Sequence, residues 1–212
     1  LMVENFGDVP FQKQVQPVTI AAMTRIICSI VELSSVPVGV NVLRNDPQAA
    51  LAIATATGAS FIRVNVHIGA MVTDQGLIEG TAAETLRLRD SLDLDVAILA
   101  DIGVKHATPF DDDWSLEQEA MDAWNRGLAD ALIVSGRGTG SPTRKEDLER
   151  IHRAVPNAKL IVGSGVRNET VSEYSLASAL IVGTAFKRNG SVENEVELNR
   201  VRELCQFSFV SR

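Results

Sequence analysis

Aromatic side chains make up only 5% of this 212-residue sequence, so aliphatic residues must fill most of any core. That balance suits buried parallel strands, in which Val, Ile, Leu and Ala dominate. Cysteine is scarce too. Cys28 and Cys205 lie far apart, which excludes a disulfide framework or a cysteine-rich metal site and fits two reduced thiols in the cytoplasm. A formal charge of −7 with no basic block excludes nucleic acid as a natural partner and gives little attraction to anionic lipid. No apolar run is long enough to cross a bilayer. The longest helix candidate, Ile20 to Leu33, is interrupted by Arg25, so any membrane association would be peripheral. A secretory signal peptide is missing as well, and no GxGxxG fingerprint comes after an early strand.

What is present is ordinary globular material, 45% hydrophobic and 22% charged, expected to form a single domain over residues 1–212. Short apolar runs alternate with amphipathic helical segments. The strand candidates are Leu1–Asn5, Val38–Val42, Phe61–Val66, Val96–Asp101, Ala131–Ser135, Lys159–Val162 and Ala179–Val182, each apolar enough to be covered on both faces. Asp46-Pro47 opens a helix that Gly58 ends, and Gly127 ends the one bearing Met121 and Trp124. Thr81 with Glu84, Ser115 with Gln118, Thr143 with Glu146 and Thr170 with Glu173 have capping-box spacing. This alternation predicts an α/β fold, a (β/α)8 TIM barrel. Such barrels take eight strands and about 250 residues. The chain opens directly on strand-like sequence, so the first βα unit is expected to be missing from it. An open doubly wound sheet ranks second.

The strands turn polar near their ends: Glu4 and Asn5, Asn41 and then Arg44, Asn65 and His67, Asp101, and Ser135. A strand-end Asn usually bonds a neighbouring backbone, yet polarity at the same end of successive strands builds a polar mouth on an apolar cylinder. Catalysis in such barrels sits there. After the last two strands come Gly163-Ser164-Gly165 and Gly183-Thr184. Glycines at those turns let backbone N–H groups approach an anion, the usual phosphate cradle of the fold. Tight turns alone would also use glycine, but two turns in register favour phosphate. Another glycine-rich loop, Gly136 to Gly140, carries Arg137, which is either an anion clamp or a solvated side chain.

Asp101-Ile-Gly103-Val-Lys105-His106 is the best candidate for chemistry. Strand alternation would put Asp101 and Lys105 on one face, as a proton donor and acceptor or as an inert ion pair. Lys105 would suit a Schiff base only if buried and deprotonated. Glu4 and Asn65 are the further catalytic candidates. Asn41, Arg44, Asp74, Ser135 and Arg137 complete the ligand-binding set, with Asp74 in a long connection, Gly69 to Gly80, read as a lid. Glu4, Asp101 and His106 have no metal-ligand spacing, so no metal is assigned. The sequence requires no cofactor.

Several stretches resemble one known family. Glu4-Asn-Phe-Gly-Asp-Val-Pro-Phe11, Gly39-Val-Asn-Val-Leu-Arg-Asn-Asp46, Phe61-Ile-Arg-Val-Asn65, Asp74-Gln-Gly76, Leu99-Ala-Asp101, Val104-Lys-His-Ala107, Val134-Ser-Gly136, Thr139-Gly140, Gly163-Ser-Gly165 and Val182-Gly-Thr184 are similar to BtpA-family motifs over nearly the whole chain. Members normally carry a stretch before the first motif that this chain lacks. The resemblance implies a ribulose-phosphate-binding type of barrel. One cyanobacterial branch is associated with photosystem I biogenesis at thylakoid membranes, and other members occur without photosynthesis, some in sugar-metabolism contexts. No catalytic residues carry over from it.

Two function classes fit these residues. One is an enzyme on a small phosphorylated metabolite of sugar-phosphate type, with isomerisation, lyase (aldol-type) cleavage and phosphate-ester hydrolysis all open. The other is a non-catalytic assembly factor for a membrane complex such as photosystem I. A homo-oligomer is compatible with either.

Overall fold

The structure is a computed structural model that describes residues 1–136, 138 and 140–206. Its main sheet has seven strands, β1 (Met2–Glu4), β2 (Gly39–Asn41), β3 (Phe61–Val64), β6 (Ala97–Ile102), β8 (Ala131–Val134), β9 (Leu160–Val162) and β10 (Ala179–Leu180). All adjacent pairs are parallel, and their spatial order is their order in the chain. An order that never reverses rules out the doubly wound alternative. It is the sheet of a TIM barrel, with β1 and β10 as its two edges.

Alternation explains where the core lies. Val3, Val40, Ile62, Val64 and Ile98 point outward and join residues of the helices α1 (Pro17–Leu33) and α2 (Pro47–Thr57) in one apolar cluster. Ile102, Leu132, Val134, Leu160 and Val162 do the same beneath α4 (Leu116–Asn125) and α5 (Lys145–Ala154). Residues of the other parity line the cylinder. Ile133, Ile161, Leu99 and Ile181 cluster there, and Phe61 fills the space over Gly39, where a Cβ would stand 2.0 Å from its ring. Burying a side chain of this size is worth about 1.5–3 kcal/mol, so the apolar residues of both parities hold the scaffold.

Local signals account for some helix starts and not others. The Asp46 carboxylate accepts the Ala49 N–H and Gly58 ends α2 at φ 76°, as expected; Ser115 likewise caps α4 through the Gln118 N–H. Thr81 opens α3 (Ala82–Ser91) without a side-chain cap. Thr143 is not a cap at all: its hydroxyl bonds the Val134 and Ser164 carbonyls, and α5 begins after Arg144. Thr170 precedes only a 3-10 turn, Val171–Tyr174. The Gly69–Gly80 connection is a hairpin, not a structureless lid. Its strands β4 (Ala70–Thr73) and β5 (Gly76–Glu79) make an antiparallel sheet with β7 (Ala107–Pro109).

Candidate functional site

The inward-facing ends of β1, β2, β3 and β6 carry one connected polar network. At its centre lies Arg63, buried on the inner face of β3. Its guanidinium grips both Asp101 oxygens, Nε to Oδ1 at 3.0 Å and Nη2 to Oδ2 at 3.0 Å, and reaches Glu4 Oε1 through Nη1 at 3.1 Å. Asn65 donates to Asp101 Oδ2 at 2.7 Å, and Asn41 donates to Asn65 Oδ1 and to the Arg63 carbonyl, each at 3.0 Å. Burial works against the Arg63 charge, but Asp101 and then Glu4 outweigh it and hold its pKa above the ordinary value. A forked guanidinium satisfied by two carboxylates is the arrangement that lets an arginine be buried at all.

Lys105 stands apart from this pair. It does not sit on a continuing strand: β6 ends at Ile102, and Gly103 takes φ 61°. The turn nonetheless brings its ammonium to the Gly163 carbonyl, at 3.1 Å. The expected Asp101–Lys105 pair is therefore replaced by Asp101–Arg63, and no carboxylate lies within 4.0 Å of Lys105 among the described residues. Burial pulls the Lys105 pKa below the ordinary lysine range, and Arg63 and Arg44 add to this while Asp101 and Glu4 oppose it. Arg44 donates to the Lys105 carbonyl. Burial lowers its own pKa against the fields of Asp101 and of Asp74 at the hairpin tip.

In the facing half of the mouth the described residues expected to hold phosphate are uncharged. The Gly163 N–H is taken by the Val134 carbonyl at 2.7 Å, so Gly163 offers a carbonyl rather than a phosphate-binding donor. Ser164 is tied down too, its hydroxyl accepting from Gly136 N–H at 2.8 Å and donating to the Ser141 carbonyl at 2.9 Å. Gly165 adopts φ 69° with Pro142 so close that a Cβ would lie 2.2 Å from its Cα. Around Gly183 there is open space, with nothing within 4 Å of a Cβ placed there. No hydrogen bond engages the N–H of Gly165, Gly183 or Thr184 among the described residues. Gly183 leads into a single 3-10 turn, Thr184–Phe186, too short to add much dipole. The Ser135 hydroxyl is buried without a partner among the described residues, 2.4 Å from where a Gly163 Cβ would stand. Arg137 lies outside the described residues.

Two further expectations fail for visible reasons. His67 is not in the mouth; its Nε2 meets the Gly127 carbonyl at 2.7 Å in the helical layer, and burial holds its pKa low. Asn5 is structural, donating to the Leu43 carbonyl and accepting its N–H. Polarity at strand ends does not single out Arg63, although it shares inward parity with Asn65 two residues on. Nor does it find Glu119, which lies on the buried side of α4, accepting from Gly103 N–H at 3.0 Å and Trp114 Nε1 at 2.9 Å. Burial pushes its pKa up to about 7, against those two hydrogen bonds, with the Asp101 charge adding to the rise. It thereby anchors the turn that carries Lys105. A cleft of about 630 Å³ also opens between α3 and α4, on the helical wall away from these groups.

Solved structures similar in fold include phosphoribosyl anthranilate isomerase from Pyrococcus furiosus (TM-score 0.57, 15% identity, 86% of this chain and 78% of that one). KGPDC from Streptococcus mutans is comparable (TM-score 0.58, 11% identity, 86% and 78%). At such identities the likeness concerns the fold alone. Closer relatives share sequence. The photosystem I biogenesis protein BtpA of Synechocystis is 47% identical over 95% of this chain and 70% of its own length. An uncharacterised protein of Thermococcus kodakarensis is 46% identical over 98% and 78%, and a mitochondrial one of Caenorhabditis elegans 32% over 97% and 76%. With the profile of the BtpA family matching residues 1–208 as well, the chain belongs to the BtpA family.

Proposed function

We propose that this protein binds a small phosphorylated metabolite of sugar-phosphate type at the mouth of the barrel and acts on it as an enzyme. The observation that carries this reading is the division of the mouth. The N–H groups of Gly165, Gly183 and Thr184, which no hydrogen bond engages among the described residues, follow the last two strands. The cluster of Glu4, Arg63, Asp101 and Asn65 ends the first four, with Lys105 reaching from one to the other at Gly163. A phosphate on the former would bring the carbon skeleton to the latter, with Asn41, Arg44 and Ser135 beside it. Buried charge costs free energy, so a network of this size inside an apolar cylinder is expected to serve a ligand. Solved structures of the same fold whose names denote phosphoribosyl anthranilate isomerases favour the same class of ligand.

The competing reading is a non-catalytic biogenesis factor, favoured by the name of the Synechocystis relative. No helix among the described residues is long and apolar enough to cross a membrane. Calorimetric titration with triose, pentose and hexose phosphates separates the two. Saturable binding that needs the phosphate group supports the first reading, and no binding by any of them removes it.

A further inference from the structure

The amine of Lys105 is placed for a task that the rest of the mouth leaves open. A lysine kept for structure at a barrel rim would be expected opposite a carboxylate. Here both nearby carboxylates are spent on Arg63, Asp101 through two nitrogens and Glu4 through one. Among the described residues Lys105 instead holds a neutral acceptor, the Gly163 carbonyl at 3.1 Å, in a partly buried position. The charges of Arg63 and Arg44 act on it at longer range, opposed by those of Asp101 and Glu4. Desolvation is the largest influence and favours the neutral amine, the form with a lone pair to give. Next to the same glycine lies the Ser135 hydroxyl, unpartnered among the described residues.

We propose that Lys105 is a catalytic nucleophile that condenses with the carbonyl of a ketose phosphate to form an imine. This rests on the reading of the mouth as a sugar-phosphate site and names its substrate class. The Nζ lone pair forms the C–N bond while the carbonyl π pair moves to oxygen, which takes the proton shed by nitrogen. A second proton, taken up from the medium and kept as the positive charge of the imine, lets that hydroxyl leave as water as the nitrogen lone pair closes the C=N bond. The protonated imine then draws electrons from the neighbouring carbon. That serves lyase or isomerase chemistry and gives no help to phosphate-ester hydrolysis, so it selects among the reaction types the sequence left open.

Borohydride trapping tests this directly. Hydride adds to the imine carbon and fixes a secondary amine, so the protein gains the mass of the ketose phosphate less one oxygen. The probes are dihydroxyacetone phosphate, ribulose phosphate and fructose phosphate, with calorimetry run on each in parallel. The chain has only Lys13, Lys105, Lys145, Lys159 and Lys187, so peptide mapping assigns the adduct without ambiguity. The expected result is one equivalent on Lys105, lost in Lys105→Arg, which keeps the cation but cannot form the imine. Lys105→Met, checked for unchanged circular dichroism, should lose the adduct as well. A probe that binds but leaves no adduct, or an adduct spread over the other lysines, overturns the imine while leaving the binding site standing. If none of the probes binds, the site reading falls and the imine with it.

Discussion

The two halves of the barrel mouth solve different problems. From β1 to β6 the inner face carries Glu4, Asn41, Arg63, Asn65 and Asp101, and nearly every polar atom there is bonded to another. From β8 to β10 the described residues it carries are Ser135, Gly163, Ser164, Gly165 and Gly183, all uncharged, and several of their polar groups have no partner among the described residues. A charged cluster must be satisfied before any ligand arrives, because an unpaired buried charge costs several kcal/mol. Backbone donors at a glycine turn meet no such demand, since water can serve them until an anion does. One half is therefore set and the other receptive, and substitutions should separate them: the charged half ought to fail in folding, the neutral half in binding.

Breaking the charged half gives the largest effect. Asp101→Ala leaves Arg63 buried with Glu4 alone, and should cost about 3–5 kcal/mol of stability in urea denaturation. A loss below about 1 kcal/mol, typical of exposed pairs, would mean that the network is not buried in solution and that the two halves do not differ.

Glu119 tests the same half through pH. The folded protein keeps this proton up to about pH 7, while the unfolded chain releases it near 4.5. Between those values the folded state holds more protons, so stability falls as pH rises across that window and is level above it. The total fall is roughly 3 kcal/mol. Glu119→Gln keeps an oxygen for Gly103 and Trp114 and should remove most of that slope. Denaturation at pH 5 and pH 8 reads it, and a slope unchanged in the variant would remove Glu119 as its source.

Gly163 belongs to the neutral half, but its carbonyl accepts a hydrogen bond from the Lys105 ammonium of the other. An alanine there would place Cβ 2.4 Å from Ser135 Oγ and 2.5 Å from Ile133 Cγ2. Overpacking of this kind costs about 1–3 kcal/mol. Thermal unfolding of Gly163→Ala is therefore expected to shift downward by several degrees, and an unshifted transition would mean that the inner face has room to give way.

These contrasts also explain how much the chain's own pattern discloses. The parallel sheet is legible because strands covered on both faces read as apolar runs between well-capped helices. Individual caps are not. Thr143 and Thr170 match the spacing but serve other bonds, the first to the Val134 carbonyl across the fold and the second to the Arg167 carbonyl in its own turn. The β4–β5 hairpin is hidden because its first strand, β4, also pairs with β7, beyond α3 and β6 in the chain. At the site, looking for polarity only at strand ends finds Glu4, Asn41, Asn65 and Asp101 but passes over Arg63, which lies one inward position earlier. Helical spacing with Leu116, Ala120 and Ala123 would mark Glu119 as buried. No local pattern shows that Asp101 turns to Arg63 rather than to Lys105, because that choice is made across strands.

The smallest effect on stability falls at Gly183, and it decides the most about the receptive half. Its φ of −121° is open to any residue, and a Cβ there would meet nothing within 4 Å. Gly183→Ala should therefore leave stability within about 0.5 kcal/mol, as for a surface change away from any special contact. An anion that draws on the Gly183 and Thr184 N–H groups must approach this backbone closely, so the same methyl group would stand in its way. Losing even one charge-assisted hydrogen bond of about 1.5–3 kcal/mol corresponds to a roughly tenfold or greater weakening of sugar-phosphate binding. Gly163→Ala makes the natural contrast, because that N–H is already taken by Val134. Its cost belongs to folding, and calorimetry on the folded variant should show a smaller change in affinity. If the two substitutions exchange these outcomes, the phosphate does not sit on the Gly183 turn. The neutral half would then be wall rather than receptor, and the anion would have to be held by Arg44 and Lys105 on the charged side.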